Sequence, residues 1–248
     1  MSRSIHLHPT APLAERVLLP GDPGRALRMA ETLLDAPKMF NHNRGLWGYT
    51  GAGPDGEPLT IQSTGMGGPS AAIVIAELHD LGARTMIRVG TCGALHPALL
   101  LGELLVVTEA LSADGTSRAL GAGDRVSGDP SLLERLTAAC GAGTARGPVV
   151  STDLFYDGRE GEEEDWMAQG ARAAEMEVAT LFALAARRDF AAGAVLIVSD
   201  VLRPQRTRIG ADALAAAELR LGTVATAALG AEPDPAAPAP SGDAAPAR

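Results

Sequence analysis

The sequence predicts an α/β fold, a single layered domain whose strands alternate with helices around a mixed or mostly parallel sheet. Three observations predict it. Short apolar runs of strand length alternate with longer runs of helical period along most of the chain. Gly and Pro cluster where one kind of run gives way to the other. The chain has 248 residues, 46% of them hydrophobic. A chain of that length buries about three quarters of its unfolded surface in one core.

Taken in order, R-V-L-L-P-G-D-P (16–23) reads as a strand running into a turn, with a helix from about Arg25 to Leu34. P-L-T-I-Q-S-T-G (58–65) is a strand, and 67–82 carries a helical pattern opened by Gly and Pro. T-M-I-R-V-G (85–90), E-L-L-V-V-T-E-A (103–110) and P-V-V-S-T-D (148–153) are strands, being short and β-branched. Glu177 opens V-A-T-L-F-A-L-A-A-R-R, which has the character of a buried helix. A-V-L-I-V-S-D (194–200) is the last strand, and a last helix runs from about Ala211 to Leu229. No repeat and no linker interrupts this order, so the domain is expected to span 5–230. The Pro/Ala-rich segment 231–248 has almost nothing to offer a core and is expected to be a disordered tail. The acidic run 160–165 reads as a solvated loop or a helix start.

Composition narrows the function. The net charge is -9 at pH 7 and aromatics are 3%. That balance argues against a nucleic-acid partner, which favours basic surfaces and stacking platforms. Of 21 basic residues only Lys38 is lysine. Cys92 and Cys140 form no C-x-x-C, and no His cluster has zinc-ligand spacing, so no metal or organic cofactor is expected. The N-terminus has no apolar signal-like region, and no apolar stretch approaches the ~18 residues that span a bilayer. A cytoplasmic protein without a membrane partner is expected.

Candidate site residues stand near strand ends, where layered α/β folds gather ligands. Gly21 in P-G-D-P-G-R (20–25) lets backbone N–H groups approach an anion. Arg25, just inside the next helix, opposes its dipole unless an anion is bound. Arg88 interrupts an apolar strand and is followed by a Gly-rich turn carrying Thr91. A buried guanidinium needs an anionic partner, either a structural carboxylate or a bound phosphate. Arg44 in N-H-N-R-G-L-W-G-Y-T-G (41–51) is a surface arginine or a third anion ligand. Asp200 is a cap or a proton donor, and Glu177 is a carboxylate at the start of a hydrophobic helix. The loops match neither a P-loop nor a dinucleotide fingerprint.

Seven stretches together resemble the bacterial, hexameric-type purine nucleoside phosphorylases, relatives of uridine phosphorylase. They are P-G-D-P-G-R, the 41–51 stretch, T-G-M-G-G-P-S (64–70), R-V-G-T-C-G-A (88–94), S-T-D-L-F-Y (151–156), E-M-E (175–177) and V-S-D (198–200). The resemblance covers roughly residues 5–229. It implies a central mixed, partly barrel-like sheet flanked by helices, and phosphorolysis of purine nucleosides, phosphate being a substrate.

It further implies a phosphate site of Gly21, Arg25, Arg88 and Thr91, with Arg44 reaching in from a neighbouring subunit. Met176 and Glu177 would hold the ribose, and His6 of the neighbour would approach its 5′-hydroxyl, with His8 as the near alternative. Phe155 would pack on the base. Ser199 and Asp200 would face it, Asp200 protonating N7, while Glu175 would support nearby loops or the base pocket. The assembly implied is a homo-oligomer, a hexamer built as a trimer of dimers. An arginine that assists the aspartate is expected, and 203–212 aligns too poorly to choose among Arg206, Arg208 and Arg220.

Three rivals remain. A uridine phosphorylase would carry a Gln-x-Arg after F-Y, and D-G-R-E-G-E-E-E-D (157–165) has Arg159 without that glutamine. A nucleosidase, using water, would not need three arginines. A non-catalytic nucleoside-binding protein would be expected to lack one of Glu177, Arg88 or Asp200, and all three are present.

Overall fold

The computed structural model describes residues 4–203 and 205–230. The expected tail, 231–248, lies outside them. The chain order is β1 (Arg16–Leu19), α1 (Pro23–Leu33), β2 (Asp35–Asn41), β3 (Gly48–Ala52), β4 (Pro58–Gln62) and α2 (Gly68–Leu81). Then come β5 (Thr85–Ala94), β6 (Leu104–Ser112), α3 (Gly115–Ala119), β7 (Arg125–Ser127) and α4 (Pro130–Cys140). Last are β8 (Ala145–Ser151), α5 (Glu162–Ala168), β9 (Ala173–Glu175), α6 (Val178–Arg188), β10 (Ala191–Val201), β11 (Thr207–Arg208) and α7 (Ala211–Gly230).

Five strands close a ring. β10 pairs β5 in parallel and β6 antiparallel, β6 pairs β8 and β8 pairs β9 in parallel, and β9 returns antiparallel to β5. The rest of the sheet, β1-β4-β3-β2, is hydrogen-bonded to β5 through β1. On one side, β5 therefore changes partner. It pairs β1 as far as Arg88 and β9 only from Gly93. Between those points the two sheets diverge, which is where α/β sheets open a crevice for ligands.

The period of two along the strands sorts side chains into two cores. Val17, Met86, Ala194, Leu196 and Val198 face one, together with α2 and α6 residues such as Val74, Ile75 and Phe182. Leu18, Ile87, Val89, Val195 and Ile197 face the other, with Met29, Leu136 and Leu221 from α1, α4 and α7. Each fully buried large apolar side chain contributes about 1.5–3 kcal/mol.

Three expectations need correction. The stretch after Arg88 is not a turn, because β5 continues to Ala94. Its glycines answer to close approach instead. A Cβ at Gly90 would lie 2.8 Å from Arg88 Cζ, and one at Gly93 would lie 2.9 Å from the Leu202 side chain. The strand expected to reach Gly65 ends at Gln62. Finally, among the described residues one helix, α7, is long and apolar enough to cross a membrane by length and composition, with mean hydropathy 1.2. Its apolar face, Ala217, Leu221, Ala225 and Ala228, is buried in the second core, as in a core helix of a globular domain. The acidic run forms the first turn of α5, where its carboxylates suit the helix dipole.

Candidate functional site

The crevice between the diverging sheets receives its first charge from β5. Arg88 is the fourth residue of that strand, and its side chain is 7% exposed. Burying a guanidinium is costly without partners. Nε donates to Glu175 Oε2 at 3.1 Å, and Nη2 forms an ion pair with Glu177 Oε2. Nη1 is buried with no hydrogen-bond partner among the described residues. A Cβ on Gly21 would lie 3.9 Å from that same nitrogen, so the loop after β1 passes beside it. The partner of Arg88, left open by the sequence, is thus a pair of carboxylates, with one donor to spare.

The two glutamates of E-M-E do different work. Glu175 Oε2 accepts from the backbone N–H of Glu177 at 2.8 Å and Oε1 from Val178 at 2.9 Å. It therefore satisfies the first free N–H groups of α6 and also accepts from Ser151 Oγ. Glu177 occupies the N-cap position without capping. Its carboxylate reaches across to the N-terminus of α2, where Oε1 accepts from Gly67 N at 2.6 Å. Met176, between them, is half-buried. Burial pushes the Glu175 carboxyl up; Arg88 opposes this, Glu177 adds to it, and the net shift is upward. Burial alone would lower Arg88, but Glu177 and Glu175 outweigh it and hold the guanidinium above its usual value. One buried cation faces two buried carboxylates, which explains both directions.

Arg25 is also buried and also held by a carboxylate. Asp22 caps α1 by accepting from Arg25 N at 2.5 Å, and Pro23 opens the helix. The Arg25 side chain donates from Nε to Glu218 Oε1 of α7 at 2.8 Å. Glu218 Oε2 takes Arg28 as well, at 2.7 Å. An internal carboxylate thus offsets the unfavourable dipole that the sequence assigned to Arg25. Glu218 was missed; a lone Glu in A-A-A-E-L-R carries no local sign of a partner 193 positions away.

The other end of the crevice is built by β10. Val198 pairs Cys92 and Asp200 pairs Gly93, so Ser199 is an inserted residue, a bulge. Bulges re-aim side chains beside sites. Ser199 Oγ donates to Asp200 Oδ2 at 2.8 Å, and Arg206 Nε donates to Oδ1 at 3.2 Å. Asp200 is therefore a buried strand residue held by two donors, and Arg206 is the arginine beside it. Arg208 sits on β11, which pairs β10, while Arg220 binds Gly102 O. The Arg206 guanidinium also lies 4.4 Å from the Phe155 ring centroid, a cation–π contact, and Phe155 is half exposed. Thr91 is half-buried on β5 opposite Ile197. Burial pushes the neighbouring Cys92 thiol far up, so it offers no thiolate.

Two expected residues make no hydrogen bond or ion pair with Arg88, Glu177 or Asp200 among the described residues. Arg44 is exposed on a short 3-10 turn, Asn43–Gly45, with φ 58° and ψ 18°, a conformation uncommon for a residue with a Cβ. It makes no ion pair or side-chain hydrogen bond among the described residues. His6 donates or accepts through Nδ1 at 2.7 Å from Glu77 Oε1 on α2. His8 Nε2 meets Ile5 O at 3.2 Å, so of the two histidines His6 is the one tied to a carboxylate.

Comparison with known proteins is consistent across sequence and structure. Residues 15–229 match the family model described as Phosphorylase superfamily. A purine nucleoside phosphorylase DeoD-type of Geobacillus kaustophilus (strain HTA426) is 38% identical over 205 residues, 79% of this chain and 86% of that protein. A guanosine phosphorylase of Halorubrum lacusprofundi is 39% identical over 192 residues, 74% and 77% of the two chains. A solved uridine phosphorylase from Vibrio fischeri ES114, complexed with 6-hydroxy-1-naphthoic acid, superposes with TM-score 0.78 at 28% identity, covering 88% of this chain and 91% of its own.

Proposed function

This chain belongs to the phosphorylase superfamily, and we propose that it uses inorganic phosphate to cleave purine ribo- and deoxyribonucleosides, releasing free purine and pentose 1-phosphate. One observation carries the reading: a buried arginine, Arg88, with an unpartnered Nη1 beside Gly21, shares its guanidinium with Glu177. An anion-seeking donor and a diol-seeking carboxylate therefore lie side by side. That is what phosphate attack at an anomeric carbon requires.

Arg25, Arg88 and the N–H groups near Gly21 hold the phosphate, with Thr91 at its rim. The planar guanidinium fork suits an oxyanion in a way lysine does not. Holding phosphate against the sugar makes a bimolecular attack intramolecular, which contributes several kcal/mol. Glu177 accepts from the ribose hydroxyls once phosphate takes its place at Arg88, with Met176 packed on the sugar. Its charge then favours the cationic sugar that forms as the glycosidic bond breaks. A phosphate oxygen bonds to the anomeric carbon, and the bonding pair leaves with the purine. Asp200, which takes up a proton as the nucleoside binds, passes it to N7 as the bonding pair arrives there, a contribution of about 10²–10⁴ in rate. Ser199 and Arg206 orient that carboxyl, and Phe155 offers a ring to the base.

The same chemistry favours an oligomer. Before a dianion arrives Arg88 already faces two carboxylates and Arg25 faces Glu218, so further positive charge is needed. Arg44 is unengaged among the described residues, and exposed Ile5, Trp47, Met66 and Ile73 lie on its own segment, that of His6, and the loop and helix α2 that His6 is tied to through Glu77. Clustered apolar exposure of this kind marks an interface. We place Arg44 and His6 in the site of a neighbouring copy, within a hexamer arranged as a trimer of dimers. Cys92 and Cys140 are unpaired, which suits the reducing cytoplasm.

Base release from inosine, adenosine and uridine, each with and without phosphate, tests the proposal. Phosphate-dependent release of hypoxanthine or adenine, with uridine inert, is expected. Uracil release instead would assign the pyrimidine branch. Release without phosphate would make the enzyme a hydrolase and leave the arginines unexplained.

A further inference from the structure

We propose that Glu218 is a positioning residue for phosphate, acting through Arg25; the inference rests on the phosphate site proposed above. Glu218 lies in the middle of α7 and is 4% exposed, a carboxylate in a helix face otherwise lined by Ala217 and Leu221. A buried charge in such a face is unfavourable unless its partners repay it. Its partners are two arginines of α1: Arg25, buried, and Arg28, half exposed.

The contact with Arg25 is made only through Nε. The terminal nitrogens, Nη1 and Nη2, donate to no protein acceptor among the described residues. A guanidinium is planar, with five N–H donors in a fixed fork. Pinning it at Nε fixes the plane and leaves its Nη donors for an oxyanion. Arg88 is likewise pinned at Nε by the buried Glu175, with Nη2 on Glu177 and Nη1 without a partner among the described residues. Two arginines from different elements are thus each pinned at Nε by a buried carboxylate. For Arg88 that carboxylate comes from the E-M-E motif; for Arg25 it comes from the last helix.

Glu218 is too far along α7 to be replaced by a neighbour. No other carboxylate lies between Asp212 and Gly230 on that helix. Arg28 takes the second oxygen of Glu218 from the solvent side. It shares the carboxylate without serving the site.

Calorimetric titration of the full chain with inorganic phosphate tests the inference without any need for turnover. Glu218→Gln should weaken phosphate binding about tenfold, the size expected when a group that orients a ligand-binding residue is lost. The KM for phosphate should rise in step, while the KM for nucleoside and kcat move less than about twofold. In an Arg25→Ala background, Glu218→Gln should change phosphate affinity no further, since both substitutions then remove one effect. Arg28→Ala should leave phosphate affinity unchanged. If Glu218→Gln fails to fold, Glu218→Asp, which keeps the charge but shortens the reach, enters the same cycle with the same expectation. A folded Glu218 variant that binds phosphate as the parent does, or additive losses in the cycle, would overturn the inference while leaving the function standing. A parent protein that binds no phosphate would overturn both.

Discussion

Glu77 accepts hydrogen bonds from His6 Nδ1 and from the backbone N–H groups of Ile5, His6 and Leu7. One carboxylate thereby fastens the N-terminal segment to α2 and orients the imidazole. Burial would push Glu77 up, but the His6 contact and the backbone donors outweigh it, and its carboxyl is lowered from 4.5. A lowered carboxyl contributes stability above its unfolded value, and that contribution is lost as pH falls through the folded value. Glu77→Gln should therefore cost about 1–3 kcal/mol at pH 7. It should also flatten the loss of thermal midpoint between pH 7 and pH 3. A variant whose midpoint falls with acid as steeply as the parent would show that Glu77 is not part of that titration. Glu175 and Glu177 make a related point. Both were read from the sequence as candidate site carboxylates, but the sequence carried no sign of the different bonds they make. Only in three dimensions does Glu175, two positions before the cap residue, cap the helix, while Glu177 at the cap position turns away to Gly67 and Arg88.

β5 shows how an element can be misjudged for a sound reason. R-V-G-T-C-G-A has the composition of a turn, and Gly is the usual punctuation between elements. Here Gly90 and Gly93 stay in the strand because the Arg88 guanidinium and Leu202 lie where a Cβ would go. Gly90→Ala should displace Arg88 and weaken phosphate binding about tenfold or more, with an overpacking cost of about 1–3 kcal/mol. Calorimetry and thermal unfolding measure the two effects. Phosphate affinity equal to the parent's would mean that Arg88 does not need its present rotamer. Other elements were missed for want of signal. D-A-P-K-M-F-N forms β2, whose first five residues are exposed, and such an edge strand carries charges and Pro that read as loop. β9 is three residues long and exists because β5 and β8 flank it.

Closure of the five-strand ring governs the molecule as a whole. It sets Glu175 and Glu177 against Arg88, while Arg44, on the turn between β2 and β3 outside the ring, is exposed. If each site takes Arg44 from a neighbour, Arg44→Ala and Arg88→Ala variants should complement one another. Mixing equal amounts of the two inactive variants after dissociation should restore about a quarter of parental activity, since about half of the re-formed pairs are mixed and half of a mixed pair's sites are intact. Failure to recover any activity, with mixed oligomers demonstrated, would place Arg44 outside the shared site.

The alternation of strands and helices was legible because each element buries its own apolar face, a local property of the chain. An anion site was legible in the arginines and Gly-rich stretches, and the kind of chemistry through the seven motifs that resemble the phosphorylases. Pairings were not. Arg25 with Glu218, Asp200 with Arg206 and Arg88 with two glutamates join residues that adjacency does not relate, among twenty chemically identical guanidiniums. Which of them reaches a given carboxylate depends on ring closure, strand register and the bulge at Ser199. Those are outcomes of packing the chain against itself, and a buried ion pair has no energy to speak of until that packing has removed the water.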